Sequence, residues 1–102
     1  MKFDEFWDIL IKKLRTKHTF TTLKRPQKFD AIYSFNEVII TPHSSKLPRK
    51  PTKTNFKMIW KSECSFDPDE RYAVSNYKQT SGNASYILTL IKVILDDQEM
   101  QC

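Results

Sequence analysis

One glycine, Gly82, occurs in 102 residues, and this scarcity limits both the fold and the chemistry. Glycine enters the positive-φ region without steric cost, so tight turns here fall to residues such as asparagine that tolerate it. Phosphate-cradling loops need several glycines, because the backbone N–H groups must approach the anion closely. Nucleotide-binding loops of both common types are therefore excluded and no cofactor is expected. Any anion must be held by side chains or by helix N-termini.

A chain of 102 residues reads as a single domain over 1–102, able to bury one core without metal or disulfide staples. Seven Phe, four Tyr and two Trp make its 39% apolar share bulky, so few positions can build a dense interior. Cys64 and Cys102 offer neither metal spacing nor a disulfide framework and read as two free thiols in a reducing compartment. Met1-Lys2 leads directly into Asp4, Glu5 and Asp8, where a secretory signal would need an apolar run. The longest apolar stretch, Tyr86 to Leu95, contains Lys92 and is half a membrane span. Without export, the sequon-like Asn83-Ala84-Ser85 has no meaning. The expectation is a cytoplasmic protein with no membrane partner.

Periodicity divides the chain into helices and strands. Phe3, Phe6, Trp7, Leu10 and Leu14 recur at helical spacing, with acids early and Lys12, Lys13 and Arg15 late, which suits the helix dipole. Ile9 and Ile11 widen this apolar face, so the helix is either deeply packed or part of a homodimer contact. His18 to Leu23 is rich in Thr and aromatics, as strands are. Lys24 to Lys28 turns at Pro26, Phe29 to Phe35 alternates as an amphipathic strand, and Val38 to Thr41 returns as a third. Asn36-Glu37 supplies the hairpin turn between the last two.

After a basic connection containing Pro48 and Pro51, Thr54 caps a helix to about Ser62, with Phe56, Ile59 and Trp60 on one face. Asp67-Pro68-Asp69-Glu70 starts another helix to about Lys78. Gly82 stops it, and Asn83 or Ser81 opens a last one to about Asp97, buried through Ile87, Leu88, Leu90, Ile91, Ile94 and Leu95. The expected class is α+β: an N-terminal helix, a three-stranded antiparallel meander and three C-terminal helices, winged-helix-like in arrangement.

Charge is segregated along this plan. Thirteen of the 17 Lys and Arg lie between Lys12 and Lys61, where Asp30 and Glu37 are the only two acids, leaving +11 on that stretch against +5 for the chain. A positive field of this kind is matched most often to a phosphate backbone. Lys53, Lys57 and Lys61 fall at i, i+4 and i+8 along one helix flank. Lys46, Arg49 and Lys50 lead into that helix, and Lys24, Arg25 and Lys28 sit at a strand turn. Cations on a helix flank and a hairpin tip can reach two phosphate strands. Thr52 and Asn55 are the candidate base readers.

Other constellations carry alternatives. His18 and His43 could act as acid and base in a metal-free nuclease, though histidines at element ends are commonly ordinary polar residues. Glu63, Asp67, Asp69 and Glu70 lack the turn glycine and distal Glu of a calcium loop, and capping explains most of them. Phe29, Tyr33 and Phe35 on one strand face could stack on bases, but a small domain needs such a face for its core. Tyr72 and Tyr77 are expected to be partly exposed.

The segment Tyr77 to Ile87, with Asn83-Ala84-Ser85-Tyr86 opening a helix after a basic one, resembles small uncharacterised proteins of mobile elements. These include integron gene-cassette products and accessory domains of restriction-type nucleases. The resemblance covers the last half of the chain, with Ser81-Gly82 as a local departure. It implies a DNA-associated or accessory role and transfers no functional residue. The expected function is non-catalytic nucleic-acid binding, DNA ahead of RNA, through 24–28 and 46–61. The rival is an adaptor or inhibitor of an acidic protein partner, of toxin–antitoxin or anti-restriction type, and a histidine-dependent nuclease stands third.

Overall fold

The computed structural model describes residues 1–23, 26–65 and 83–99, with the side chains of 63–65 set aside. Expectations placed on Lys24, Arg25, the Asp67-to-Lys78 helix, the side chains of Glu63 and Cys64, Tyr72, Tyr77, Gly82 and Cys102 lie outside the described residues. Within them the order is α1 (Phe3–Lys13), β1 (His18–Thr21), β2 (Lys28–Ser34), β3 (Glu37–Pro42), α2 (Lys53–Ser65) and α3 (Ala84–Asp97). The class is α+β, with three helices among the described residues rather than the four expected of the whole chain.

The sheet is antiparallel with strand order β1-β2-β3. Alternation decides its faces. Phe29, Ala31, Val38, Ile40 and Pro42 are buried, while Asp30, Ile32, Ile39 and Thr41 are partly exposed on the other side. Register follows from this pattern. Phe29↔Pro42, Ala31↔Ile40 and Tyr33↔Val38 put apolar partners on one face, and a slip of one residue would turn β3 inside out.

That register moves the hairpin turn. Ser34↔Glu37 is the closing pair, so the two-residue loop is Phe35-Asn36, one position earlier than expected. Both residues have positive φ, 53° and 61°, as a type I′ turn requires. Asn36 suits this conformation. A bulky Phe does not, and a non-glycine residue there costs about 1–2 kcal/mol.

The core lies between the buried sheet face and the helices. Phe3, Phe6, Trp7, Leu10 and Leu14 point inward from α1 and its end, with Ile9 and Ile11 packed partly against them. The wide apolar face of α1 is therefore used inside the fold. Rings join α1 to α2: Phe6 stacks on Trp60 at 4.8 Å and Trp7 meets Phe56 edge-on at 5.3 Å. Tyr86 of α3 meets Phe29 of β2 edge-on at 5.1 Å. Helix α3 is buried on nearly every side, including Thr89, whose hydroxyl donates to the Ser85 carbonyl at 2.9 Å. A helix with so wide an apolar surface belongs at the centre of a fold, and the Lys92–Asp96 ion pair marks its polar line.

Helix α2 begins two residues before the expected start, with Thr52 rather than Thr54 as its cap. The Asn55 N–H donates to Thr52 Oγ1 at 3.1 Å and the Thr52 N–H donates to Asn55 Oδ1 at 2.9 Å. This is a reciprocal capping box with Asn in the third position. Thr54 has no equivalent, since three residues on from it stands Lys57, which can only donate.

Candidate nucleic-acid interface

After β3 the chain turns and runs back along the sheet edge. The Lys46 N–H donates to the Pro42 carbonyl at 2.9 Å, and Arg49 and Ile40 exchange backbone bonds of 2.6 and 2.8 Å. Lys50 then reaches Glu37 at 3.4 Å, beside the start of α2. Lys28 stands at the opposite end of the sheet, where its carbonyl accepts from the His43 N–H at 3.0 Å. Lys46, Arg49 and Lys50 thus follow the β3 edge toward the start of α2, which carries Lys53, Lys57 and Lys61, while Lys28 stands on β2 at the far end of the sheet. All of them are exposed.

Their partners separate them into kinds. Arg49 is tied down: its Nη1 donates to Asn83 Oδ1 at 3.2 Å and its guanidinium lies 5.5 Å from the Tyr86 ring centre. Lys53 sits 5.7 Å from the Trp7 ring centre. Lys50 is the member of this path with a carboxylate within 4.0 Å among the described residues. Lys28, Lys46, Lys57 and Lys61 face solvent with no carboxylate of the described residues within that distance. At 1.5 Å rise per residue, Lys53 to Lys61 spans about 12 Å of helix. Such a row matches about four phosphates of one strand at about 3.4 Å each along a duplex axis.

Thr52 and Asn55, the expected readers, bond to each other in the α2 cap, which uses Asn55 Oδ1 and Thr52 Oγ1 as acceptors and leaves their side-chain donors outside the cap.

The two histidines are on opposite faces of the sheet. His18 is the register partner of buried Ala31, so it shares the helix-covered side, where Thr16 Oγ1 lies 3.2 Å from its Nε2. His43 is on the other side, with Nε2 2.8 Å from Asp30 Oδ1. Strand β2 also separates β1 from β3. An acid–base pair from these two rings is not assembled.

Asp30 instead gathers a polar group on the open face. The Thr19 hydroxyl donates to its Oδ1 at 2.6 Å, and this bond, followed by the one from His43, holds the carboxyl below its ordinary pKa. The charges of His43 and Lys17 add to the effect. An ionised carboxylate only accepts, so His43 Nε2 carries the donated proton. Asp30, Thr41, Pro42, His43 and Lys46 line a shallow open cleft. Among the described residues no three of His, Cys, Asp and Glu gather to hold a metal ion.

Base stacking across a strand face is not available as expected. Phe29 is fully buried and Tyr33 is partly buried against the core, whereas Phe35 has left the strand for the turn and is 91% exposed. Two contributors escaped sequence reading. Lys17 precedes Thr19 by two residues, and period-two alternation alone could have assigned it to the open face. The Asp30–His43 contact needed the strand register.

No family model, curated protein or solved structure matches this chain. No helix among the described residues is long and apolar enough to cross a membrane.

Proposed function

We propose that the protein binds nucleic acid without cleaving it, DNA ahead of RNA, by holding phosphates along Lys28, Lys46, Lys53, Lys57 and Lys61. The observation that carries this reading is the exposed lysine row of α2, with no carboxylate within 4.0 Å among the described residues. The row begins beside the β2–β3 hairpin, because Asn36 and Glu37 line one cleft with Lys50, Thr52 and Lys53. A winged-helix-like use follows, with α2 against one run of phosphates and the hairpin tip against the neighbouring strand. The absence of glycine loops fits the same picture, since the anion is then held by side chains.

The test is a salt titration of binding to a short DNA duplex, followed by fluorescence anisotropy. Five lysines on five phosphates give a log–log slope of about −4 to −5. The double variant Lys57→Ala, Lys61→Ala should lower that slope by about 2. A slope near zero, or one the double variant leaves unchanged, overturns the reading.

A further inference from the structure

The hairpin tip places an aromatic ring where the backbone disfavours it and the fold does not use it. Phe35 takes φ 53° in a turn whose first central position favours Asn, Asp or Gly. Its ring is 91% exposed, so packing does not compensate the conformation. Every other described aromatic is buried or partly buried. Strained, non-glycine positions of this kind cluster where a ligand is gripped.

The surroundings indicate which ligand. Asn36, the next residue, lines a cleft with Lys50 and Lys53, so the tip stands at the head of the lysine row. Protein docking would call for a contiguous apolar patch around the ring. Of the other exposed large apolar residues among those described, Leu23 and Leu47 belong to the far end of the sheet, near Thr22 and Pro42, and Met58 lies on α2 beside Lys57, 46% exposed, so they form no single patch at the hairpin tip. An exposed flat ring on the residue next to a lysine-lined cleft matches a nucleobase attached to its phosphate, which offers a π-face and an anion together.

We propose that Phe35 stacks on an unpaired base of the strand whose phosphates follow Lys53, Lys57 and Lys61. The protein then prefers single-stranded or locally opened nucleic acid to an uninterrupted duplex. This rests on the nucleic-acid reading above and adds the element that discriminates among nucleic acids. Removal of one stacked base contact lowers affinity by roughly ten-fold.

The experiment compares the wild-type chain with Phe35→Asn and Phe35→Trp on a single-stranded oligonucleotide containing 2-aminopurine and on a blunt duplex of equal length. Phe35→Asn should weaken single-strand binding about ten-fold and abolish quenching of 2-aminopurine, with a clearly smaller loss on the duplex and an unchanged salt slope. Phe35→Trp should restore both signals, and Phe35→Asn should melt no lower than wild type, since Asn suits the turn. Unchanged single-strand binding by Phe35→Asn, with the salt slope intact, defeats the stacking role and leaves the phosphate reading standing. Equal losses on single strand and duplex also defeat it. If the wild-type chain binds neither oligonucleotide, both readings fall.

Discussion

Arg49 shows how a single residue can look like a ligand contact and act as a staple. In sequence it belongs to a basic run with Lys46 and Lys50. In the fold its backbone extends the sheet edge at Ile40 and its guanidinium joins that edge to Asn83 and Tyr86 at the start of α3. Arg49→Ala should cost about 1–2 kcal/mol in urea unfolding, from one hydrogen bond and one cation–π contact. The salt slope of nucleic-acid binding should stay as it was; a fall by about 1 would mean that Arg49 contacts a phosphate after all.

Asp30 carries the pH dependence. Its pKa is lowered in the folded protein, chiefly by the Thr19 hydroxyl and then by His43. A carboxyl depressed on folding stabilises the native state above its unfolded pKa, and that contribution disappears as pH falls through the folded value. The stability difference between wild type and Asp30→Asn should therefore be largest near neutrality and vanish in strong acid. Thermal melts across pH check this, and a difference independent of pH contradicts it.

At the scale of elements, the cap of α2 lies two residues, and the β2–β3 turn one residue, before the place expected from the sequence. Both displacements have local causes. The cap is Thr52 because only Asn55, three residues on, can return a hydrogen bond. Thr52→Ala should destabilise the protein by about 1 kcal/mol, measured by thermal or urea unfolding, whereas Thr54→Ala should stay within about 0.5 kcal/mol. The turn is Phe35-Asn36 because pairing Ser34 with Glu37 keeps Val38, Ile40 and Pro42 on the buried face. Apolar registry across a strand pair outweighs the local penalty of a phenylalanine at positive φ.

Over the whole molecule, one cluster of apolar side chains joins the sheet to α1, α2 and α3. Trp7 and Trp60 lie in its aromatic part, between α1 and α2. Tryptophan fluorescence and far-ultraviolet circular dichroism should accordingly report the same urea midpoint, as expected of one cooperative unit. Separate midpoints would show that the helix pair and the sheet come apart independently. The basic path lies outside this cluster, so the double variant Lys57→Ala, Lys61→Ala should keep the wild-type midpoint while altering the salt slope.

Element type and order among the described residues were legible in the chain, because helical and strand periods are local properties of the pattern of apolar side chains. The buried set of α3 and the inward face of α1 were legible for the same reason. Long-range geometry was not. Whether His18 and His43 share a face depends on strand order and register, and Arg49 and Asn83 lie 34 positions apart. Local spacing decided which residues could be buried together. Only the folded chain decided which polar groups would meet, since a hydrogen bond between distant residues depends on three-dimensional placement that no sequence period encodes.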